Sequence, residues 1–145
     1  MKKLFTKICI ASDHAGYDLK EEIKDYLIKK SISVIDLGPF VKDSVDYPDY
    51  AKKVAKRLVL RKSDAGILVC GSGTGMAITA NKFKGVRAAQ CYNKNSTILS
   101  RKHNNANIIC LGSRMLKYKD VIKYVTHFLN TRFEGGRHQK RINKI

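Results

Sequence analysis

A three-layer α/β/α domain with a five-stranded parallel sheet is the fold the sequence predicts, and three observations predict it. Short apolar runs alternate with stretches of helical periodicity from end to end. The helices between runs are long enough for crossovers, which joins the strands in parallel and covers both sheet faces. The clearest run, Ala65 to Cys70, is continuously apolar, as a strand buried on both sides must be.

The elements follow in order. Lys7 to Ala11 is a strand, and Tyr17 to Lys30 a helix with Leu19, Ile23, Tyr26 and Leu27 on one face. Ser33 to Leu37 is a second strand, closed by Gly38-Pro39. Asp49 to Arg61 is helical (Tyr50, Val54, Leu58), with Pro48 near its first turn. After the strand Ala65 to Cys70 come a short helix from about Met76 to Lys82 and a strand from Val86 to Cys91. Asn95 to His103 reads as helix, Ile108 to Leu111 as the fifth strand and Lys119 to Leu129 as a long amphipathic helix. The basic tail, residues 132–145, has room for a helical turn or two. The 145 residues are read as one domain, 1–145, without linker, low-complexity segment or repeat.

Composition bounds the function. With 43% hydrophobic and 28% charged residues the chain is globular. No apolar run approaches the roughly 20 residues of a membrane helix. The start, Met1-Lys2-Lys3-Leu4-Phe5-Thr6-Lys7, has a signal-like beginning, but Lys7 interrupts its apolar stretch. A cytoplasmic protein without a membrane partner is expected. The 29 Lys plus Arg against 12 Asp plus Glu give a net charge of +17, which points to an anionic partner. Most of the excess is lysine dispersed over helices and loops (Lys20, Lys24, Lys52, Lys56, Lys119), which reads as solvated faces. Arginine binds phosphate bidentately and is the better guide; it gathers at Arg132, Arg137 and Arg141. Cys9, Cys70, Cys91 and Cys110 form no C-x-x-C pair and no zinc spacing with the four histidines. All but Cys70 read as small buried hydrophobes.

Ligands on such sheets bind beyond the carboxyl ends of the strands, and the chemistry-bearing residues follow the strands: Ser12-Asp13-His14, Gly71 to Gly75, Tyr92-Asn93 and Gly112-Ser113-Arg114. In Cys70-Gly71-Ser72-Gly73-Thr74-Gly75, three glycines at alternate positions let the backbone bend and turn its amides toward one point before a helix starts. The spacing fails the dinucleotide fingerprint, because the third glycine comes one residue early and no acid closes the next strand. It also fails the nucleotide P-loop, because Ser72-Gly73 follows Gly71 where Lys-Ser/Thr is needed. A small oxyanion remains. Amide donors and a helix N-terminus favour a thiolate, so Cys70 at the edge of the cradle is a candidate nucleophile or base, against the plainer reading of a core residue at a strand end. Asp13 is a candidate helix cap as well as a site residue. Arg137 and Arg141, four apart beyond the Gly135-Gly136 hinge, would make a phosphate clamp on one helical turn.

Seven motifs in order carry a resemblance over nearly the whole chain: Ser12-Asp13-His14-Ala15-Gly16, Asp46-Tyr47-Pro48, Cys70-Gly71-Ser72-Gly73-Thr74-Gly75, Ala80-Asn81-Lys82, Ser100-Arg101-Lys102-His103-Asn104, Leu111-Gly112-Ser113-Arg114 and Glu134-Gly135-Gly136-Arg137-His138. With them the chain resembles the ribose/galactose isomerase family, in its ribose-5-phosphate isomerase B branch. The resemblance implies a Rossmann-like fold and an aldose–ketose isomerase without metal or other cofactor. Its substrates would be ribose 5-phosphate and ribulose 5-phosphate, with an enediolate between them. Cys70 would be the base and the amides of Gly71, Gly73, Thr74 and Gly75 the oxyanion donors. Asp13 would hold sugar hydroxyls, Ser72 would assist Cys70 or the substrate oxygen, Tyr47 would line the sugar and His103, with Asn104 beside it, would open the ring. His14, Arg114, Arg137 and Arg141, with His138 close by, correspond to the phosphate site. Some members use a glutamate a few residues after the cysteine position; Gly73-Thr74-Gly75-Met76 offers none. The family also implies a homodimer or dimer of dimers with a shared site, His103, Asn104 and Arg114 coming from the neighbouring chain. A six-carbon substrate (allose 6-phosphate or galactose 6-phosphate) is the alternative. A nucleic-acid-binding protein and a nicotinamide-dependent oxidoreductase are the disfavoured readings, since the chain has no Arg-rich stripe or base-stacking motif and the glycine spacing is wrong.

Overall fold

The computed structural model describes residues 3–145; Met1 and Lys2 of the signal-like start lie outside the described residues. Five strands, β1 (Ile8–Ser12), β2 (Val34–Asp36), β3 (Ala65–Cys70), β4 (Ala88–Gln90) and β5 (Ile108–Gly112), alternate with helices α1 (Tyr17–Lys29), α2 (Tyr47–Val59), α3 (Thr74–Ala80), α4 (Lys94–Lys102) and α5 (Tyr118–Asn130). A sixth helix, α6 (Arg137–Ile142), supplies the turns allowed for in the basic tail. All strand pairs are parallel, in the order β2-β1-β3-β5-β4, so the expected three-layer α/β/α architecture holds.

Alternate residues of the three inner strands supply the two cores. Ile8, Ile10, Ile67, Val69, Ile109 and Leu111 face α1 and α5, meeting Leu19, Ile23, Val125 and Phe128. Cys9, Ala11, Leu68, Cys70, Ile108 and Cys110 face α2 and α3, meeting Ala51, Val54, Met76 and Ala80. Strands sandwiched in this way have no polar face, which is why β1, β3 and β5 are buried at every position. Gly66 has no side chain because α2 crosses there: a Cβ would come within 2.5 Å of Val54 Cγ1.

Boundaries shift where local chemistry decides them. α2 begins at Tyr47, two residues before the expected start, since Pro48 suits a first turn that needs no amide donor. α3 likewise starts at Thr74 rather than Met76, directly after Gly73 in the left-handed region (φ 83°). β4 is shorter than expected; Asn107 Oδ1 and Asn81 Oδ1 take the amides of Arg87 and Ala88, leaving an edge strand of 3 residues.

Two basic residues depart from the expectation of solvated faces. Lys20 is fully buried; its Nζ donates to Asp36 (2.7 and 2.9 Å), Glu21 (3.1 Å) and the Pro39 carbonyl (2.9 Å). Lys24 joins the same carboxylate at 2.6 Å. Burial pushes the Asp36 carboxyl up, but the Lys20 and Lys24 hydrogen bonds and the Gly38 amide outweigh it and hold it below its ordinary value. The network ties α1 to β2 and to the Gly38-Pro39 turn, whose Gly38 carbonyl accepts from Ser12 N–H at the end of β1.

Candidate active site

The chain reverses direction across the sheet between β1 and β3: from β1 it runs outward to β2, and from β3 toward the opposite edge. A crevice forms at such a switch point, beyond the carboxyl ends of the strands. Strand register decides what enters it. Ser12 pairs with Val69, so Asp13 follows beside Cys70, its N–H donating to Val69 O at 3.1 Å. Cys70 pairs with Gly112, so Ser113 and Arg114 follow beside Gly71; Ser113 N–H donates to Cys70 O (2.8 Å) and Arg114 N–H to Gly71 O (3.0 Å). Asp13, Tyr47, Cys70, Gly71, Ser72, Gly75, Arg114 and Met115 line one open cleft of about 420 Å³.

Cys70 is the last residue of β3, buried, with its sulfur accepting the Gly73 N–H at 3.1 Å. The Thr74 N–H goes to Ser72 Oγ at 3.3 Å. The amide cradle therefore differs in part from expectation: one of its donors serves the sulfur and another the serine, while the first-turn amides of Gly75 and Met76 have no acceptor within α3 itself. Gly75 is needed because the Tyr47 ring lies directly on it, where any Cβ would overlap the ring. The Arg114 guanidinium lies over Gly71, its Nη1 3.2 Å from where a Cβ would stand.

Asp13 stands just ahead of α1, whose N-cap is Gly16 and carries no side-chain cap. Its Oδ1 accepts the Gly16 N–H at 2.9 Å at the entry to α1, and its carboxylate borders the cleft. His14 is exposed, with Nδ1 3.1 Å from the Val45 N–H and 3.2 Å from the Val45 carbonyl.

The remaining candidates stand elsewhere. His103 caps the C-terminus of α4, which runs back against the strands and ends where β5 begins, at the amino side of the sheet. Asn104 follows it, exposed. Here α6 packs: the His103 and His138 rings stack with centroids 4.2 Å apart, and Glu134 N–H donates to Lys102 O at 3.1 Å. Burial, then the charge of His103 and Arg137, push His138 below its ordinary value. Arg137 and Arg141 flank it on α6, both exposed. One chain thus carries two separate half-sets: Asp13, His14, Tyr47, Cys70 to Gly75 and Arg114 at the carboxyl ends, and His103, Asn104, Arg137, His138 and Arg141 at the amino side. Arg114 belongs to the first set, in the cleft of its own chain's Cys70, and not with His103 and Asn104 as the resemblance implied; the Cys70–Gly112 register puts it there.

Sequence reasoning missed Gln90. Its Nε2 donates to Ser72 O (2.9 Å) and Thr74 Oγ1 (2.8 Å), bracing the cradle from the end of β4. Its position at a strand's carboxyl end was the available signal. Met115, which also lines the cleft, follows an arginine that drew all the attention.

A sulfur, a carboxylate and a guanidinium around an amide cradle that lacks any nucleotide fingerprint suit small-molecule acid–base chemistry on a phosphorylated substrate, the equipment of an aldose–ketose isomerase. The family model described as ribose/galactose isomerase matches residues 8–145, and the chain belongs to that family. It is 42% identical over 139 residues to the ribose-5-phosphate isomerase B of Escherichia coli, covering 96% of this chain and 93% of the relative. Among solved structures it is similar to a ribose 5-phosphate isomerase of Thermotoga maritima (TM-score 0.94, 50% identity, 96% of each chain). It is also similar to ribose-5-phosphate isomerase B of Mycoplasma genitalium, solved with bound ribulose-5-phosphate (TM-score 0.91, 48% identity, 95% and 92% covered). Among the described residues no helix is long and apolar enough to cross a membrane.

Proposed function

We propose that this chain interconverts ribose 5-phosphate and ribulose 5-phosphate through an enediolate, in a site completed by a second copy of itself. The observation that carries the reading is the register that brings Asp13, Cys70 and Arg114 side by side at the switch point. The named activity of the Escherichia coli, Thermotoga and Mycoplasma relatives supports the substrate.

His103 opens the furanose by moving a proton from the C1 hydroxyl to the ring oxygen, which breaks the C1–O4 bond and frees the aldehyde. Cys70, as thiolate, takes the proton from C2. The electron pair moves into the C1–C2 bond, and the C1 carbonyl oxygen becomes an enediolate oxygen. The Gly75 and Met76 amides and Ser72 hydroxyl stabilise that oxygen, the role of an oxyanion hole. The C2 hydroxyl proton passes to O1, and the Cys70 thiol returns its proton to C1, leaving the ketone at C2. Asp13 orients the hydroxyls and Tyr47 walls the sugar. His14 and Arg114 of one copy meet Arg137 and Arg141 of the other on the phosphate, a charge-assisted arrangement. The two half-sets at opposite ends of one sheet are what support the shared site.

Incubation with ribose 5-phosphate in deuterium oxide, followed by NMR, tests the reading. Ribulose 5-phosphate carrying solvent deuterium at C1, formed without added metal, is the expected result; no conversion and no exchange would overturn it. The same assay with allose 6-phosphate, compared as kcat/KM, decides between five- and six-carbon substrates, and the five-carbon sugar is expected to win.

A further inference from the structure

The cluster at the amino side of the sheet has a property its proposed role does not use. His103, Glu134 and His138 bring one imidazole nitrogen each and one carboxylate oxygen within 4.8 Å of one another. Two histidines and one glutamate are a donor set that holds zinc with a fourth position open. The chain builds this trio from two places. α4 ends at His103, the Glu134 amide is pinned to Lys102 O, and α6 sets His138 four residues after Glu134, across the Gly135-Gly136 turn.

We infer that His103, Glu134 and His138 form a labile transition-metal site, and that a zinc ion bound there blocks isomerisation by occupying the His103 imidazole. The second half rests on the ring-opening role proposed for His103.

Two further observations support the site. The His138 side chain is 8% exposed, and its Nε2 lies 3.8 Å from Glu134 Oε2, beyond hydrogen-bond range, so that nitrogen is not spent on the carboxylate. Glu134 is exposed and tied only loosely, to Lys102 at 3.7 Å, so its carboxylate is free to turn toward an ion arriving from solvent.

The present geometry is one step from coordination. The two rings are nearly parallel, with planes 13° apart, so their in-plane lone pairs run side by side. Zinc–nitrogen distances of about 2.0–2.1 Å require the rings to splay toward a common point. Lys102, Arg137 and Arg141 stand around the cluster and oppose a cation. Both features make occupancy weak and reversible, suited to sensing free metal and not to a permanent structural ion. The other two histidines, His14 and His127, lie on the β1–α1 loop and on α5. All four thiols are buried.

Calorimetric titration of metal-stripped full-length protein with zinc chloride reads the site without reference to turnover. One ion per chain is expected, with affinity about tenfold or more weaker in Glu134→Gln and in His138→Ala. Affinity should be unchanged in Cys70→Ser. Glu134→Gln should keep the metal-free turnover of the parent yet resist zinc, whereas the parent should lose activity in step with occupancy and recover it with chelator. No binding, an isotherm indifferent to Glu134→Gln and His138→Ala, or binding lost only in Cys70→Ser would overturn the site. Zinc bound through these residues while isomerisation continues would overturn the block alone. If the metal-free chain turned over no sugar phosphate, the proposed function would fall, and the titration would still judge the site.

Discussion

Replacing Cys70 by alanine separates chemistry from stability. The sulfur belongs to the core against α2 and α3 and is the acceptor for the Gly73 amide at 3.1 Å. Losing its apolar contacts should cost about 1–2 kcal/mol. Losing the hydrogen bond adds about 1 kcal/mol, since it deprives the buried Gly73 amide of its acceptor. The sum lies well inside the roughly 5–15 kcal/mol that holds a domain folded. At about 2–4 °C per kcal/mol for a chain of this size, the melting temperature should fall by roughly 4–12 °C. Removing the proton-transferring group should lower kcat by about 10²–10⁴-fold, or about 3–5 kcal/mol in barrier. Cys70→Ser is the companion: its oxygen still accepts from Gly73, so the hydrogen-bond share of the thermal loss, about a third to a half, returns while activity does not. Coupled ketose detection and a thermal melt on the three proteins make the comparison. Alanine turnover within tenfold of the parent would refute the assignment of the base, and a serine variant as fast as the parent would do the same.

Mixing Cys70→Ala with His103→Asn, each inactive alone, should restore about a quarter of parental activity after subunit exchange, because half the dimers would be mixed and each would carry one intact shared site; no recovery would mean that each chain owns its whole site. Asp36→Asn strips the buried Lys20 ammonium of its main partner and should destabilise by about 3–5 kcal/mol, read by chemical denaturation. Because folding lowers the Asp36 pKa, its contribution is complete above the ordinary carboxylate value near pH 4 and is lost as pH falls through the lower folded value, so acid unfolding of the parent should steepen below about pH 4. Gly75→Ala forces the Tyr47 ring off the cradle; that ring is exposed enough to swing away, so stability should drop by about 1 kcal/mol or less while KM rises, measured by initial rates and a melt.

The buried ion network links this stability to the site. Lys20 holds the Pro39 carbonyl, Gly38 in turn accepts from Ser12, and Asp13 is the next residue. Disturbing Asp36 should therefore loosen the position of Asp13 as well as the fold.

Much was legible in the chain itself because it is a matter of period and local chemistry. Continuous apolarity gave away β3, helical spacing the faces of α1 and α5, and alternate glycines the tight loop after Cys70. Those properties depend on neighbours in sequence. What pairs with what depends on strand order and register, which no local pattern encodes. Only the order β2-β1-β3-β5-β4 decided that Asp13 and Arg114 flank Cys70, 57 residues beyond the first and 44 short of the second by sequence number. Lys20 looked like one solvated lysine among many, since burial of a charge requires a partner, here Asp36, from another element. Gln90 and the His103–His138 stack escaped notice for the same reason. Composition and periodicity determine which segments bury which faces; the packing of distant segments alone determines which polar groups meet, because their energy depends on distance through space and not along the chain.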